Sequence, residues 1–280
     1  MFELHEERGY EITKLCELAN VSRGGYYKWL DRNPSEEELE NEKLATEIKR
    51  IYEESNKIYG VERIKWALSR ELNWEVNVKR IRRLMQILGI SSIIRRKKPQ
   101  WTKSIAQHTA KNVINRNFEA DKPNQKWFTD VTYLTFGKCQ KAYLSAIIDR
   151  YDQAIIAWKI STSNDNQLVK DTIDMAFENN PGARPIIHSD RGSAYTSGQH
   201  KELKVAYKFR VSMSRVSKCL DNQPIESFFG TLKSEYYYQH KFQTLDALIQ
   251  GIGNYMNFYM TKRYVPKFKG LTPSEFRALA

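Results

Sequence analysis

The chain has 280 residues, of which 41% are hydrophobic and 28% charged, a composition that argues against wholesale disorder. No run approaches the roughly 20 apolar residues that a membrane span needs, and the acidic start MFELHEERGYEITKLC lacks the order of a signal peptide. The three cysteines are far apart and show no CxxC spacing, which argues against disulfides and cysteine-rich zinc sites and predicts a reducing cytoplasm.

The distribution of charge along the chain predicts a polyanionic partner. The net charge is +12; residues 1–42 carry a net charge of −6, whereas residues 43–103 carry +10. Because the positive charge is concentrated in one segment, nucleic acid is the expected partner. A solvated basic surface without a partner would have the same composition.

The first predicted elements are two short helices over residues 11–31, separated by a turn at 19–22. Ile12, Leu15 and Cys16 form one apolar face, and Ser22 is placed to cap the second helix. The pattern is typical of a helix-turn-helix, which can lay its second helix in a DNA groove. A plain helical hairpin would look nearly the same, so residues 1–33 are predicted as a helix-turn-helix-like segment.

Residues 34–94, here called the helical unit, are predicted to contain three further helices. The first begins in the acidic run after Ser35, the second covers residues 61–72, and the third covers residues 78–88 and ends at Gly89. The third helix has an apolar inner face and a basic outer face, and a basic tail follows it. Such a surface suits contacts with DNA phosphates, although a charged, solvated helix is the alternative. We predict DNA contacts at Lys79, Arg80, Arg82, Arg83, Arg95, Arg96, Lys97 and Lys98.

After a predicted basic and polar linker over residues 95–122, the pattern changes from helical to alternating. Three strands are predicted at 127–136, 140–148 and 154–160, the first two joined by a tight turn at Gly137. Helices over about 165–177, 197–205, 222–238 and 244–260 alternate with short strands at 185–188 and 209–212. The order β-β-β-α-β-α-β-α predicts an α/β fold in residues 123–280, here called the α/β unit. Its mixed sheet is expected to begin with antiparallel strands and to continue through crossover helices.

Three acidic residues of the α/β unit stand where phosphoryl transfer would need them. Asp130 lies in the middle of a strand, Asp190 directly follows a short strand, and Glu226 is near the start of a helix. A carboxylate within a strand is costly unless it lines a functional cleft, and α/β folds place ligand groups at strand ends. Two divalent cations held by carboxylates neutralise a phosphate and activate a weak nucleophile. Taken singly, each residue also fits a turn, capping or helix-dipole role.

The combination of motifs resembles one family. The segments WFTDVTYL (127–134), HSDRGSAYTS (188–197), SMSR (212–215), DNQPIESFFGTLKSE (221–235) and RYVPKFKGLTPSEFR (263–277) are similar to those of the insertion sequence three family of bacterial transposases, in its second-reading-frame product. IYEESNKIYGVERIKWAL (51–68) and VNVKRIRRLMQILGI (76–90) resemble the helix-turn-helix region of the same family. The resemblance covers nearly the whole chain and extends to the retroviral integrase superfamily.

The resemblance implies an RNase H-like catalytic core with a D…D-x35-E triad made by Asp130, Asp190 and Glu226. These residues would be both the catalytic residues and the ligands of two Mg²⁺ or Mn²⁺ ions. The implied activity is that of a DDE polynucleotidyl transferase, which hydrolyses DNA at the element ends and joins the freed 3′-OH to another strand. Lys233 and Asn222, which share a helix face with Glu226, are predicted DNA contacts.

The expected partners are the terminal inverted repeats of the element, target DNA, and further copies of this chain in a homo-oligomer on DNA. A fusion with an upstream-frame product is a further expectation from the resemblance, and the predicted location is the bacterial cytoplasm, at the nucleoid when DNA is bound. Two alternatives stay open: a DNA-binding regulator with an inactive integrase-like core, and a nuclease without joining activity.

Overall fold

The computed structural model describes residue 7 and residues 9–94, 114, 119–190, 195, 198–214 and 222–280. Near the N-terminus, two short helices pack against each other, α1 (Ile12–Leu18) and α2 (Arg23–Leu30). The Ser22 hydroxyl accepts a hydrogen bond from the Gly25 amide at 3.0 Å, so the predicted cap of the second helix is confirmed. Leu15, Cys16 and Tyr26 are the buried side chains of this pair.

The three predicted helices of the helical unit are confirmed. They are α3 (Glu36–Glu54), α4 (Val61–Leu72) and α5 (Val78–Ile87). The hydroxyl of Ser35 and the carboxylate of Glu38 form a reciprocal capping box at the start of α3, which satisfies two backbone amides that have no partner within the helix. A closed apolar core fills the space between the three helices and includes Ile48, Ile64, Leu68 and Ile81, none of which is exposed to solvent.

The α/β unit is built on five strands in the spatial order β3-β2-β1-β4-β5. They are β1 (Lys126–Phe136), β2 (Gln140–Asp149), β3 (Ile155–Ser161), β4 (Ile186–Ser189) and β5 (Arg210–Met213). The first three are antiparallel neighbours, whereas β4 pairs in parallel with β1 and with β5. This arrangement confirms the predicted α/β, RNase H-like mixed sheet.

Helices cover both faces of the sheet. They are α6 (Asn166–Asn179) and α7 (Gly198–Tyr207) on one face, and α8 (Gln223–Glu235) and α9 (Leu245–Thr261) on the other. Successive residues of β1 serve the two cores in turn, because side chains of a strand alternate between the faces. Trp127 packs with α6 and Phe128 packs with α8 and α9, and both are fully buried.

The structure corrects three details of the C-terminal prediction. The predicted helix over 222–238 ends at Glu235, because Tyr236 leaves helical geometry and a short 3-10 turn follows at Tyr237–Gln239. Asn222 occupies the N-cap position of that helix, but its side chain makes no capping hydrogen bond. A further helix, α10 (Pro273–Ala278), was not predicted, although Thr272 and Glu275 form a capping box that is visible in the sequence.

The helical unit packs against the C-terminal part of the α/β unit. The Tyr59 hydroxyl donates to the carbonyl of Lys262 at 2.7 Å, and Arg70 donates to the carbonyl of Gly270 at 2.8 Å and to the carboxylate of Glu275. Arg63 of α4 bonds to Glu235, the last residue of α8, at 3.0 Å. Polar contacts therefore link α4 to the helix that carries Glu226. Within the described part of the chain, no helix is both long and apolar enough to cross a membrane.

Candidate active site

The candidate site lies where β1 and β4 separate. The two strands pair in parallel only from Lys126↔Ile186 to Phe128↔His188, after which β4 ends at Ser189 and β1 continues. Asp130 and Asp190 are each two residues beyond the last paired position. Their strands therefore deliver both carboxylates to the same edge of the sheet, the position at which α/β folds bind ligands.

Helix α8 brings the third carboxylate to this edge. The side-chain amide of Asn222, at the start of the helix, donates to the backbone carbonyl of Thr129 at 3.3 Å, where β4 no longer pairs with β1. One turn later, Glu226 is exposed on the surface of the helix. Phe228 and Phe229 are buried in the core beneath α8 and hold the helix against the sheet.

The charges of the three carboxylates influence one another. Burial, and then the charge of Asp190, raise the pKa of Asp130 to about 7, and Glu226 adds to the rise. The Val131 amide, which donates to Asp130 at 2.8 Å, and the charge of Lys233 oppose it. Although Glu226 is exposed at the helix surface, the partial burial of its carboxyl group and then the charge of Asp190 also raise its pKa. The structure therefore brings together all three acidic residues that the sequence singled out.

The donor set suits a hard divalent cation. All three groups are carboxylates, the oxygen ligands that Mg²⁺ and Mn²⁺ prefer. The raised pKa values of Asp130 and Glu226 reflect burial and then neighbouring negative charge that a cation would compensate. The Asn222 Oδ1 atom at the same edge is buried and accepts no hydrogen bond. Among the residues described, no three His, Cys, Asp or Glu side chains are already close enough to hold a metal ion directly. The carboxylates therefore lie at the same edge of the sheet but are not in a geometry that coordinates a metal ion.

Two buried polar groups, Tyr195 and His188, support the strand ends. The sequence favours a structural role for His188 beside Asp190, which the structure confirms, and makes no prediction for Tyr195. The Tyr195 hydroxyl lies 3.1 Å from the Thr129 hydroxyl, and burial and the charge of Asp130 raise the pKa of Tyr195 well above its usual value. His188 is fully buried, with Nδ1 2.9 Å from the Ser212 hydroxyl and Nε2 3.1 Å from the Ser214 hydroxyl. Both residues lie in motifs quoted above, which is the only signal that could have marked Tyr195.

Lys233 lies on the open edge of β1 beyond the carboxylates. Its ammonium group donates to the Thr132 hydroxyl at 2.6 Å and is 5.3 Å from the centroid of the Tyr133 ring. Lys141 approaches the same ring at 5.9 Å, and Tyr133 is 60% exposed. Lys233, whose charge acts on Asp130, and the exposed Tyr133 ring therefore lie together beside the carboxylates.

The other predicted DNA contacts fall into four groups. Lys79, Arg82 and Arg83 are exposed on α5. Arg80 is partly buried and bonds to Asn41 at 2.8 Å and to Glu40 at 3.1 Å. Asn222 is only 2% exposed, so its side chain contacts β1 rather than solvent. Arg95, Arg96, Lys97 and Lys98 lie outside the described residues.

Comparison with known protein families agrees with this organisation. Two models described as integrase core domains match residues 120–219 and 226–279, and a model described as an HTH-like domain matches residues 38–98. The first two cover the elements that carry the carboxylates, and the third covers most of the helical unit.

Curated relatives match nearly the full chain. A putative transposase for the insertion sequence element IS150 from Escherichia coli K12 is 34% identical over 269 residues, which cover 96% of this chain and 94% of that protein. The transposase for IS904 from Lactococcus lactis is 32% identical over 250 residues, covering 88% of this chain and 98% of that protein. Among solved structures, the integrase catalytic core domain of HTLV-2, in complex with magnesium, is 18% identical with a TM-score of 0.47, covering 57% of this chain and 99% of that one.

Proposed function

This chain belongs to the insertion sequence three family of transposases, and on that basis we propose that Asp130, Asp190 and Glu226 form the catalytic centre with which it cleaves and joins DNA strands. The chain is a polynucleotidyl transferase of the integrase type, active in DNA transposition. The observation that supports the assignment is the parallel pairing of β1 with β4, which delivers Asp130 and Asp190 to one edge of the sheet, where Asn222 ties the start of the helix that carries Glu226 to Thr129.

The carboxylates would hold two Mg²⁺ or Mn²⁺ ions, which, when bound, supply charge neutralisation at the phosphate and activation of the attacking oxygen. Asp130 is fixed by the hydrogen bond from the Val131 amide at 2.8 Å. Asp190 and Glu226 project from the end of β4 and from the first turn of α8, so each of the three ligands comes from a different element. Asn222 positions α8 through its bond to Thr129.

The cations around the carboxylates would bind the DNA backbone. Lys233 would contact a phosphate of the strand that is cut, and Tyr133 beside it offers an exposed ring. Lys79, Arg82 and Arg83 would contact phosphates through the exposed face of α5, and Arg80 would join them from its bonds with α3. The proposed substrates are the terminal inverted repeats of the element and a target duplex. A homo-oligomer would hold two element ends together, and an upstream-frame fusion would extend the contacts with those ends.

The decisive experiment replaces Asp190 by Asn and measures cleavage and strand joining on labelled element ends with Mg²⁺ or Mn²⁺. We expect both reactions to be abolished while DNA binding is largely retained, because the amide keeps the shape of the side chain but removes its charge. Asp246→Asn, which removes an exposed carboxylate at the start of α9, is the matched control and should leave both reactions intact.

Two outcomes would contradict the proposal. Robust cleavage by the Asp190→Asn protein would show that the carboxylate is not a ligand of the essential ions. A wild-type protein that binds element ends but cuts none with either metal would instead identify a DNA-binding regulator with an inactive core.

A further inference from the structure

A second polar cleft lies between the helical unit and the α/β unit. It has a volume of about 610 Å³. One wall is formed by Gly60 to Arg63 at the start of α4 and by Arg82 of α5, and the other by the end of β2, the first turns of α8 and the segment around Pro266. Gln223 and Ser227, on either side of Glu226 in the sequence, both line it. The cleft therefore shares helix α8 with the proposed catalytic centre.

The lining of this cleft is strongly basic. Its cationic residues are Arg63, Arg82, Arg150, Arg263 and Lys267, against the carboxylates of Glu62 and Asp149. Part of this charge is already compensated within the protein, because Arg63 and Arg263 both bond to the buried Glu235. Asp149 in turn is bonded by Arg277 at 3.2 Å, so its charge is not available to the cleft. Arg82, Arg150 and Lys267 remain, with Glu62 as the one carboxylate of the lining that faces them.

Arg150 and Lys267 both line this cleft and are near enough for their positive charges to repel each other. The Arg150 Nε atom is buried and has no hydrogen-bond partner. Neither residue forms an ion pair within the part of the chain that the structure describes. Burial, and then the charge of Arg150, lower the pKa of Lys267, while Glu119 exerts a weaker opposing effect on the pKa of both. A buried donor and two mutually repelling cations are satisfied together by a bound anion.

We propose that this cleft binds a backbone phosphate of duplex DNA, held by Arg150 and Lys267 from the α/β unit and by Arg82 from the helical unit. The inference rests on the proposed function in one respect, that the polyanion presented to this face is DNA. Helix α8 carries Glu226 and also forms part of the cleft wall, so DNA bound at the catalytic carboxylates would lie close to this cleft. Arginine and lysine are the side chains that bind phosphates in proteins, and such contacts anchor a duplex without reading its sequence.

The test measures the salt dependence of DNA binding by the full chain, in buffer without divalent ions. The probe is a short labelled duplex of mixed sequence, and the variant is Arg150→Gln combined with Lys267→Gln. Each phosphate contact that is lost should reduce the slope of log K against log [salt] by about 1. The charge-matched control is Arg184→Gln combined with Lys204→Gln, two exposed cations beside the α6 and α7 layer on the opposite face of the sheet. We expect the control to keep the wild-type slope.

A charge-preserving variant separates loss of contact from loss of folding. Arg150→Lys combined with Lys267→Arg should keep a slope close to that of the wild type, and thermal unfolding of every variant is compared with the wild type. If the double glutamine variant unfolds early, Lys267→Gln alone is the test, because Lys267 is exposed on the surface of the cleft. If the folded glutamine variant of the cleft has the same slope of log K against log [salt] as the control variant, the inference is overturned.

Failure of this inference differs from failure of the proposed function. If the wild-type protein cuts element ends but the folded cleft variant has the wild-type salt slope, only the phosphate site in the cleft is refuted. If the cleft variant shows the expected reduction in slope but the wild-type protein never cuts DNA, the catalytic assignment is refuted and the phosphate site is supported.

Discussion

Replacing Glu235 by Gln removes a buried charge on which the contact between α4 and α8 depends. The Glu235 side chain is 2% exposed and accepts hydrogen bonds from Arg263 at 2.8 and 2.9 Å, from Arg63 at 3.0 Å and from Tyr255 at 3.0 Å. Arg263 and Arg63 are themselves only 9% and 14% exposed. The substitution therefore leaves two guanidinium groups in a poorly solvated place without their carboxylate.

Breaking a buried ion pair by removing one partner costs about 3 to 5 kcal/mol, because the remaining charge cannot be hydrated. For a chain of this size, we expect Tm to fall by something on the order of 10 °C. The assay is thermal unfolding followed by calorimetry at neutral pH. The matched control is Glu54→Gln, since Glu54 also bonds to an arginine, Arg50 at 2.8 Å, but is 60% exposed. An exposed pair of this kind contributes at most about 1 kcal/mol.

The pH dependence of the stability difference between the wild type and Glu235→Gln tests the same prediction independently. Burial alone would raise the pKa of Glu235, but the hydrogen bonds and charge of Arg263, and then the charge of Arg63, lower it below the usual 4.5. A lowered carboxyl pKa contributes stability that is fully present above the usual value and is lost as the pH falls through the folded value. The difference in Tm between the wild type and the Glu235→Gln variant should therefore be largest at neutral pH and should decrease below pH 4.5. Equal effects of the Glu235 and Glu54 substitutions, or a gap that does not change with pH, would refute this reasoning.

Three further predictions follow from the geometry. Gly270→Ala should lower the free energy of unfolding by more than Gly182→Ala does. Both residues have φ +81°, but only a Cβ at Gly270 would overlap the Trp66 ring. Chemical denaturation of the two variants measures the difference. Arg277→Ala should lower the free energy of unfolding, measured by the same chemical denaturation, by about 3 to 5 kcal/mol. The reason is that it leaves the fully buried Asp149 and Asp152 without their shared counterion. A loss below about 1 kcal/mol, the contribution of an exposed pair, would contradict this prediction. In metal-free buffer, Asp130→Asn should raise Tm above about pH 7, where the wild-type carboxyl must carry an unfavourable charge, and the gain should disappear below pH 3.8; a Tm below that of the wild type at high pH would refute it.

The sequence by itself determined the type and order of nearly all the elements that the structure describes. Helix starts at Ser22, Asp165 and Thr244 could be predicted because a cap is a contact between residues three positions apart. Strands and helices were distinguishable because their apolar residues repeat with different periods. Helix α10 was missed, although its capping box is equally local. The three carboxylates could be selected as candidates because their motifs resemble those of one transposase family.

Only the tertiary structure decided which of these local features meet. The parallel pairing of β1 with β4 joins segments that are distant in the chain, and it alone brings Asp130 beside Asp190. From the sequence alone, Glu235 is indistinguishable from a solvent-exposed acidic residue near a helix end. Tertiary packing nevertheless buries it between Arg63 and Arg263. The same packing encloses the basic cleft and buries the Arg150 Nε atom without a hydrogen-bond partner. Burial and charge proximity are properties of contacts between distant segments, and local periodicity carries no record of which segments will be in contact.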